Sequence, residues 1–279
     1  MFCTNTVFKE KKVTGKHFAE EPKVKNKNRV VLYCVLFVLV CVIGFTGFKV
    51  TNWIIENTNS EKIRNKLNEA VMIDDSTEKN GDENNTGNSN DAKKYNVDFK
   101  KIKESNPDAI AWFKVNGTNI EYPIVKTSDN DYYMEHSFDN NYNSAGWVFM
   151  DYRNEFDGKD KNMVVYGHNR RDGSMFGTLK NILSEEWQNN KKNLLIPFIS
   201  ENEKTMFYVF SVYRIEKEDY YITTDFQTVN DFQVFIDTIK GRSMKDFGVD
   251  VNVDDQILTL STCADDDRYR VVLHAKKIK

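Results

Sequence analysis

Cys263 ends the strand-like run Thr259-Leu260-Ser261-Thr262-Cys263, and it is the only cysteine after a long apolar stretch near the N-terminus. Cys3, Cys34 and Cys41 lie before or inside that stretch. If the following region is exported, its one thiol has no partner in the same domain, so it is either a liability or a tool. A tool here means a nucleophile. A thiol attacks as thiolate, and a free cysteine has a pKa of about 8.5, so it needs a base or a positive neighbour. Three histidines follow the apolar stretch: His136, His168 and His274. His168 ends Val164-Val165-Tyr166-Gly167-His168, where the chain enters the glycine-containing loop RRDGSMFG. A strand end beside a glycine holds a side chain firmly and still lets it reach a cleft.

An arginine completes the set. With Tyr269 to Ala275 as a strand, Arg268, Arg270, Val272 and His274 share one face by period-two alternation. A hairpin between the last two strands brings Arg268 or Arg270 near Cys263. A fixed guanidinium stabilises a thiolate and can hold an oxyanion at a substrate carbonyl. Cys, His and Arg together suit acyl transfer through a thioester.

Each of these residues also has a bland reading. An unpaired cysteine on a strand is most often a small buried hydrophobe. His274 reads as structural, lining a barrel or facing solvent, and His136 as a surface residue in a polar loop. Cys263 with His274 lacks the clustered ligands of a zinc site. Asp265-Asp266-Asp267 reads as a solvated turn, with Asp265 the candidate to orient the arginine. Tyr132, Tyr133, Tyr220 and Tyr221 are candidates for a peptide groove, with core or rim packing the commoner role.

The elements that must position these groups are legible in outline. The 279 residues suffice for one sizeable domain plus appendages, and a net charge of -3 points to no nucleic acid or acidic polymer. Val30 to Phe48 is an uncharged, mostly apolar run of 19 residues, roughly 28 Å as a helix, which spans a bilayer core. Lys23, Lys25, Lys27 and Arg29 precede it and only Lys49 follows closely, so its N-terminus belongs in the cytoplasm. The length of the run, and the absence of a small-x-small site after it, argue for an uncleaved anchor over a cleaved signal peptide.

Ile63, Leu67 and Val71 predict a helix over Glu61 to Ile73. Asp74 to Lys94 is nearly free of apolar residues and reads as a flexible tether, reaching roughly 25 Å as a coil. The expected division is a cytoplasmic tail over 1–29, a membrane anchor over 30–48, an extracellular helix and linker over 49–94, and a catalytic domain over 95–279. That domain opens with a helix over Asp98 to Ser105, closed by Asn106-Pro107. Predicted strands follow at Asn119 to Val125, Gly146 to Met150, Asn162 to Tyr166, Leu194 to Ser200, Met206 to Ile215, Gln256 to Thr262 and Tyr269 to Ala275. Phe232, Phe235, Ile236 and Ile239 fall on one face of an amphipathic helix before the penultimate strand. Many short strands with few helices predict a mainly β fold, a closed or nearly closed barrel.

TLSTC ending a strand, with an arginine opening the next, resembles the signature of the sortase family of Gram-positive bacteria. YGHNRRDGSMFGTL (166–179) resembles the histidine segment of class B members. NPDAIAWFKVNGTNIEYPIV (106–125), DNDYYMEHSFD (129–139) and AGWVFMDYRN (145–154) follow in the family's order. The resemblance covers essentially all of 95–279.

It implies a membrane-anchored cysteine transpeptidase built on an eight-stranded β-barrel, with N-terminal helices and an extra helix before the cysteine strand. It implies Cys263 as nucleophile, His168 as general acid/base and Arg270 as the arginine, since RVVLHAK (270–276) matches the family pattern better from Arg270 than from Arg268. The seven-position spacing from Cys263 is shorter than in many class B enzymes, which keeps Arg268 open. The implied substrates are exported proteins with a C-terminal sorting signal of the Asn-Pro-x-Thr or Ser/Pro-Pro-x-Thr type, cut at the Thr carbonyl. The implied acceptor is a peptidoglycan amine, with a pilin lysine or water as alternatives. Neither cofactor nor metal is expected.

Overall fold

The computed structural model describes residues 27–74, 89–264 and 268–278. It divides into two compact units, Met1–Val50 and Thr51–Lys279. Helix α1 runs unbroken over Lys27–Asn68 and contributes to both. Its first part is long and apolar enough to cross a membrane, with an 18-residue window of mean hydropathy 2.7.

The second unit is organised around a closed barrel. In chain order the strands are β1 Val71–Ile73, β2 Tyr95–Val97, β3 Ala109–Lys114, β4 Glu121–Val125, β5 Phe149–Met150, β6 Asn162–Asn169, β7 Leu195–Ser200, β8 Lys204–Glu216, β9 Ile257–Ala264 and β10 Tyr269–Lys277. Eight of them close in the order β10-β8-β7-β3-β4-β5-β6-β9, so no edge strand is left unpaired in the barrel. Most neighbours are antiparallel; β4 with β5 and β6 with β9 are parallel. The remaining helices are α2 Phe99–Ser105, α3 Glu185–Asn189 and α4 Val229–Gly241.

Alternation along the strands separates two cores. Leu258, Leu260, Val271, Leu273 and Ala275 join the large core cluster with Phe113, Tyr122 and Val165. Their neighbours Ile257 and Val272 instead pack outside, with Phe232, Phe235, Ile236 and Ile239 of α4. That helix face is the predicted one. Its start is fixed by a capping box, in which the Thr228 hydroxyl accepts from Asp231 N–H and the Asp231 carboxylate accepts from Thr228 N–H.

The structure corrects the sequence reading near the N-terminus. The helix expected over Glu61 to Ile73 stops at Asn68, because Val71–Ile73 pairs antiparallel with Tyr95–Val97. Val71 shares the helical spacing of Ile63 and Leu67, but its ladder with Val97 takes precedence. The same pairing brings together the two ends of the stretch read as a tether. Asp74 N–H donates to the Lys94 carbonyl at 2.9 Å, so the two ends of the stretch are held together. Residues 75–88 of that stretch lie outside the described residues, and 89–94 form a 3-10 turn. Periodicity does not single out β3: its Ala-Ile-Ala-Trp-Phe run is continuously apolar, because the strand lies inside the fold between β4 and β7.

His274 is fully buried on the outer side of β10, not solvent-facing. Its surroundings fix a single direction of donation. Asn162 spends its amide N–H groups on the carbonyls of Tyr221 and Thr223, leaving Oδ1 to accept from the Thr259 hydroxyl at 2.6 Å. Thr259 Oγ1 therefore accepts from His274 Nδ1 at 2.8 Å, and His274 Nε2 accepts from the Tyr213 hydroxyl at 2.8 Å. A neutral imidazole satisfies this chain; a protonated one forces Tyr213 to reverse.

Burial pushes the His274 imidazole down to about 3. Between that value and the unfolded value near 6.5 the unfolded chain holds the extra proton, so stability falls as pH drops through this window, by at most about 5 kcal/mol. Urea unfolding of wild type and His274→Gln across pH 7 to 4 should show a shallower pH slope in the variant. Equal slopes would remove His274 as a source of acid lability.

Candidate active site

The parallel ladder of β6 with β9 sets His168 and Cys263 as direct register partners, one pair before its last, Asn169 with Ala264. Both strands run a few residues further than predicted, so both residues lie within the ladder. On the other side of β9, β10 pairs antiparallel, with Leu273 opposite Leu260 and Val272 opposite Ser261. The paired stretch ends at Val272 with Ser261; the same register continued for two residues would set Arg270 level with Cys263. Arg270 is half-buried and donates from Nη1 to its neighbour's carbonyl at Tyr269, at 3.2 Å. Arg268 sits in the turn before β10, exposed, and its carbonyl accepts from Lys217 N–H. The segment holding Asp265 lies outside the described residues.

His168 is half-buried and its ring is held from one side. Nε2 lies 2.8 Å from the Met134 carbonyl, which can only accept, so Nε2 carries a proton and Nδ1 is the basic nitrogen of the neutral ring. Gly146 makes this approach possible. It has φ +59°, and a Cβ there would fall 2.5 Å from the Tyr133 carbonyl oxygen, 2.7 Å from that of Met134 and 3.0 Å from His168 Cδ2. Gly167 serves the other side of the strand, where a Cβ would meet the Phe176 ring at 2.7 Å. Phe176 and Arg170 both donate backbone N–H groups to the His168 carbonyl, at 2.9 and 3.0 Å, folding the loop back on the strand end.

The segment carrying Met134 is itself pinned by buried polar groups. Asn106 donates to the Tyr133 hydroxyl at 2.7 Å and to the Phe138 carbonyl at 2.8 Å, and Tyr133 donates to Asp108 at 2.8 Å. His136 in this segment is half-buried, stacked on Tyr132 with ring centroids 4.0 Å apart, so it is more enclosed than a loop residue was expected to be. Of the four aromatics considered as groove liners, Tyr133 and Tyr221 are buried while Tyr132 and Tyr220 are half-buried at the rim.

One cluster goes unassigned in the sequence reading. Asp151 is fully buried and accepts from the Tyr166 hydroxyl at 2.7 Å and from Arg153 Nε and Nη2 at 2.8 and 2.7 Å. Arg153 Nη2 also reaches the Ile222 carbonyl at 2.9 Å. Desolvation raises the Asp151 pKa, but the hydrogen bonds from Arg153 and Tyr166 outweigh it and hold the carboxyl below its usual range. Tyr166 lies one alternation before His168 on β6. The clamp therefore ties the segment after β5 to the Tyr220–Ile222 turn across the strand that presents the histidine. The string FMDYRN contains both charged members, but nothing in local spacing says that Asp and Arg two residues apart pair with each other.

Known proteins resemble this chain in both sequence and fold. The sortase domain model matches residues 113–278. Sortase B of Staphylococcus aureus is 31% identical over 255 residues, covering 89% of this chain and 97% of that protein. Sortase B of Listeria monocytogenes is 32% identical over 251 residues, covering 86% and 94%. The crystal structure of Clostridium perfringens sortase B superposes with a TM-score of 0.61 at 36% identity, covering 65% of this chain and all of that one. The barrel is thus shared with solved sortase B structures, and this chain belongs to the sortase family, the cysteine transpeptidases of cell-wall sorting.

Proposed function

We propose that Cys263 is the nucleophile of a class B-type transpeptidase, His168 its general acid/base and Arg270 its oxyanion and substrate stabiliser. The observation that carries this reading is the register of β6 against β9, which makes Cys263 and His168 cross-strand partners. Register partners in a ladder share a face, and the β10 ladder extended to Arg270 adds the guanidinium on the other flank.

The chemistry follows from these roles. The Cys263 thiolate adds to the carbonyl carbon of the Thr in a sorting motif of the NPxTG type, and Arg270 stabilises the oxyanion. The tetrahedral intermediate collapses with cleavage of the C–N bond, and the leaving amine takes a proton from His168. Nδ1 is the atom for this transfer, since Nε2 stays engaged with the Met134 carbonyl, and the proton it gives up is the one it first took from the Cys263 thiol when the thiolate formed. An amine of a peptidoglycan cross-bridge then attacks the thioester, gives its proton to His168 and displaces the thiolate, leaving a new amide.

The apolar part of α1 serves in this reading as a single-pass anchor, with the basic flank of 23–29 in the cytoplasm and the barrel outside. The catalytic domain of 95–279 is joined there by the end of α1 and by β1. Holding enzyme and exported substrate at one membrane surface raises their effective concentration.

Incubation with a sorting peptide should leave an acyl adduct on Cys263, read by mass spectrometry, and an added amine should convert it to amide product. Cys263→Ala should abolish turnover, and full activity in that variant would end the nucleophile assignment. Release to water at an unchanged rate in saturating amine would identify a hydrolase. Arg270→Ala should lower kcat by about 10²–10³-fold, on the order of 3 to 4 kcal/mol, as for loss of an oxyanion donor. The alternative assignment predicts the larger loss for Arg268→Ala in the same assay.

A further inference from the structure

We propose that the end of α1 is a positioning brace for His168, with Asn57 and Arg170 as its central pair. The proposal rests on the reading of His168 as acid/base and extends it to residues of the helix that continues from the apolar span.

Three routes lead from α1 to the histidine. In the first, Arg170 Nη2 donates to Asn57 Oδ1, and Arg170 N–H donates to the His168 carbonyl at 3.0 Å. In the second, Asn143 donates to Ser60 Oγ at 2.9 Å and to the Glu56 carbonyl at 3.2 Å, while Ser144 donates to the Glu56 carboxylate. Asn143 in turn accepts from Ala145 N–H and Gly146 N–H, and Gly146 is the residue clasped between Met134 and the His168 ring. In the third, the Arg64 guanidinium lies 5.8 Å from the Tyr122 ring centroid, and the Tyr122 hydroxyl accepts from Met175 N–H, whose residue bridges to Asn169.

Residues 56, 57, 60 and 64 fall on one face of the helix. The loop before the ring contact and the loop after the strand end are thus both fastened to the same helical surface. A small cavity of about 140 Å³ between the helix and the loop after the strand end is lined by Asn57, Ser60, Arg64, Tyr122 and Asp172, so this seam is incompletely filled.

Arg170 gives the brace its energetic weight. Its side chain is 10% exposed, and its Nε has no hydrogen-bond partner among the described residues. Its remaining anchors are Asn57 and a 3.4 Å contact with Asp172. A guanidinium so sparsely satisfied moves when one acceptor is removed, because a buried donor left without a hydrogen bond is costly. The loop that follows His168 moves with it.

The test uses the full-length chain in detergent micelles with a fluorogenic sorting peptide. Asn57→Ala should lower kcat by about ten-fold, the scale of a sub-ångström misplacement of a reacting group, with KM within about two-fold. Asn57→Asp, which keeps the acceptor in place, should restore kcat, and the exposed Lys62→Ala on the same helix should match wild type. The His168 ring resonances should shift in Asn57→Ala and return in Asn57→Asp. Wild-type kcat in Asn57→Ala would overturn the brace, as would a loss that matches the unfolded fraction by thermal melt. His168→Ala in the same assay separates the two levels: activity there sinks the acid/base reading itself, whereas an inactive His168→Ala beside a fully active Asn57→Ala sinks the brace alone.

Discussion

The parallel pairing of β6 with β9 is the constraint on which the candidate site depends. Parallel neighbours place their C-terminal ends at the same end of a sheet, whereas antiparallel neighbours place them at opposite ends. His168 and Cys263 both lie near the C-terminal ends of their strands, so only the parallel arrangement makes them partners. Such a pairing needs a long crossover, and residues 170–256 supply it with β7, β8 and α4. A slip of one residue in this ladder would turn one of the pair to the opposite face. The register is held by burial: Leu258 and Leu260 belong to the barrel interior, while Ile257 packs outward with α4.

That outward packing explains a division of labour along the same strands. At the start of β6 and β9, Asn162 and Thr259 join His274 in a closed polar network beneath α4, with every group satisfied and the histidine kept neutral. At the other end, the ladder reaches His168, whose ring has one nitrogen committed to a carbonyl. The two histidines show what separates a structural imidazole from a candidate catalytic one. His274 has both nitrogens occupied by hydroxyls and no solvent access; His168 has a defined tautomer, partial exposure and a neighbouring strand that carries a cysteine.

Much of this was legible in the sequence, and the failures have physical causes. The apolar spacing of Phe232, Phe235, Ile236 and Ile239 predicts α4 correctly because a helix packed on one side keeps a one-sided pattern. Most barrel strands are found within a few residues of their predicted ends, since turn-forming Asn, Asp and Gly bound them. β3 escapes because burial on both faces erases alternation. The stretch before Tyr95 misleads for another reason: the partner of Val71–Ile73 lies across a polar stretch, and a ladder between distant segments leaves no local trace. The Asp151–Arg153–Tyr166 clamp is invisible for the same reason, as its members converge only when β5 and β6 pair. Within the constellation, sequence alternation groups Arg268 with Arg270; in the structure Arg270 lies on β10 and Arg268 in the turn before it.

The N-terminal region changes meaning once its pairing is known. Read as composition, it is a helix and a polar spacer that could only hold the barrel at a distance. Asp74 and Lys94 are hydrogen-bonded to each other, at the ends of the paired strands β1 and β2. The covalent path from the apolar span to the barrel therefore runs through the last turns of α1 and that ribbon. Those turns carry Glu56, Asn57, Ser60 and Arg64, whose partners sit in the loops flanking His168. Helix residues hydrogen-bonded to both of these loops make the placement of the histidine depend on contacts far from it in sequence.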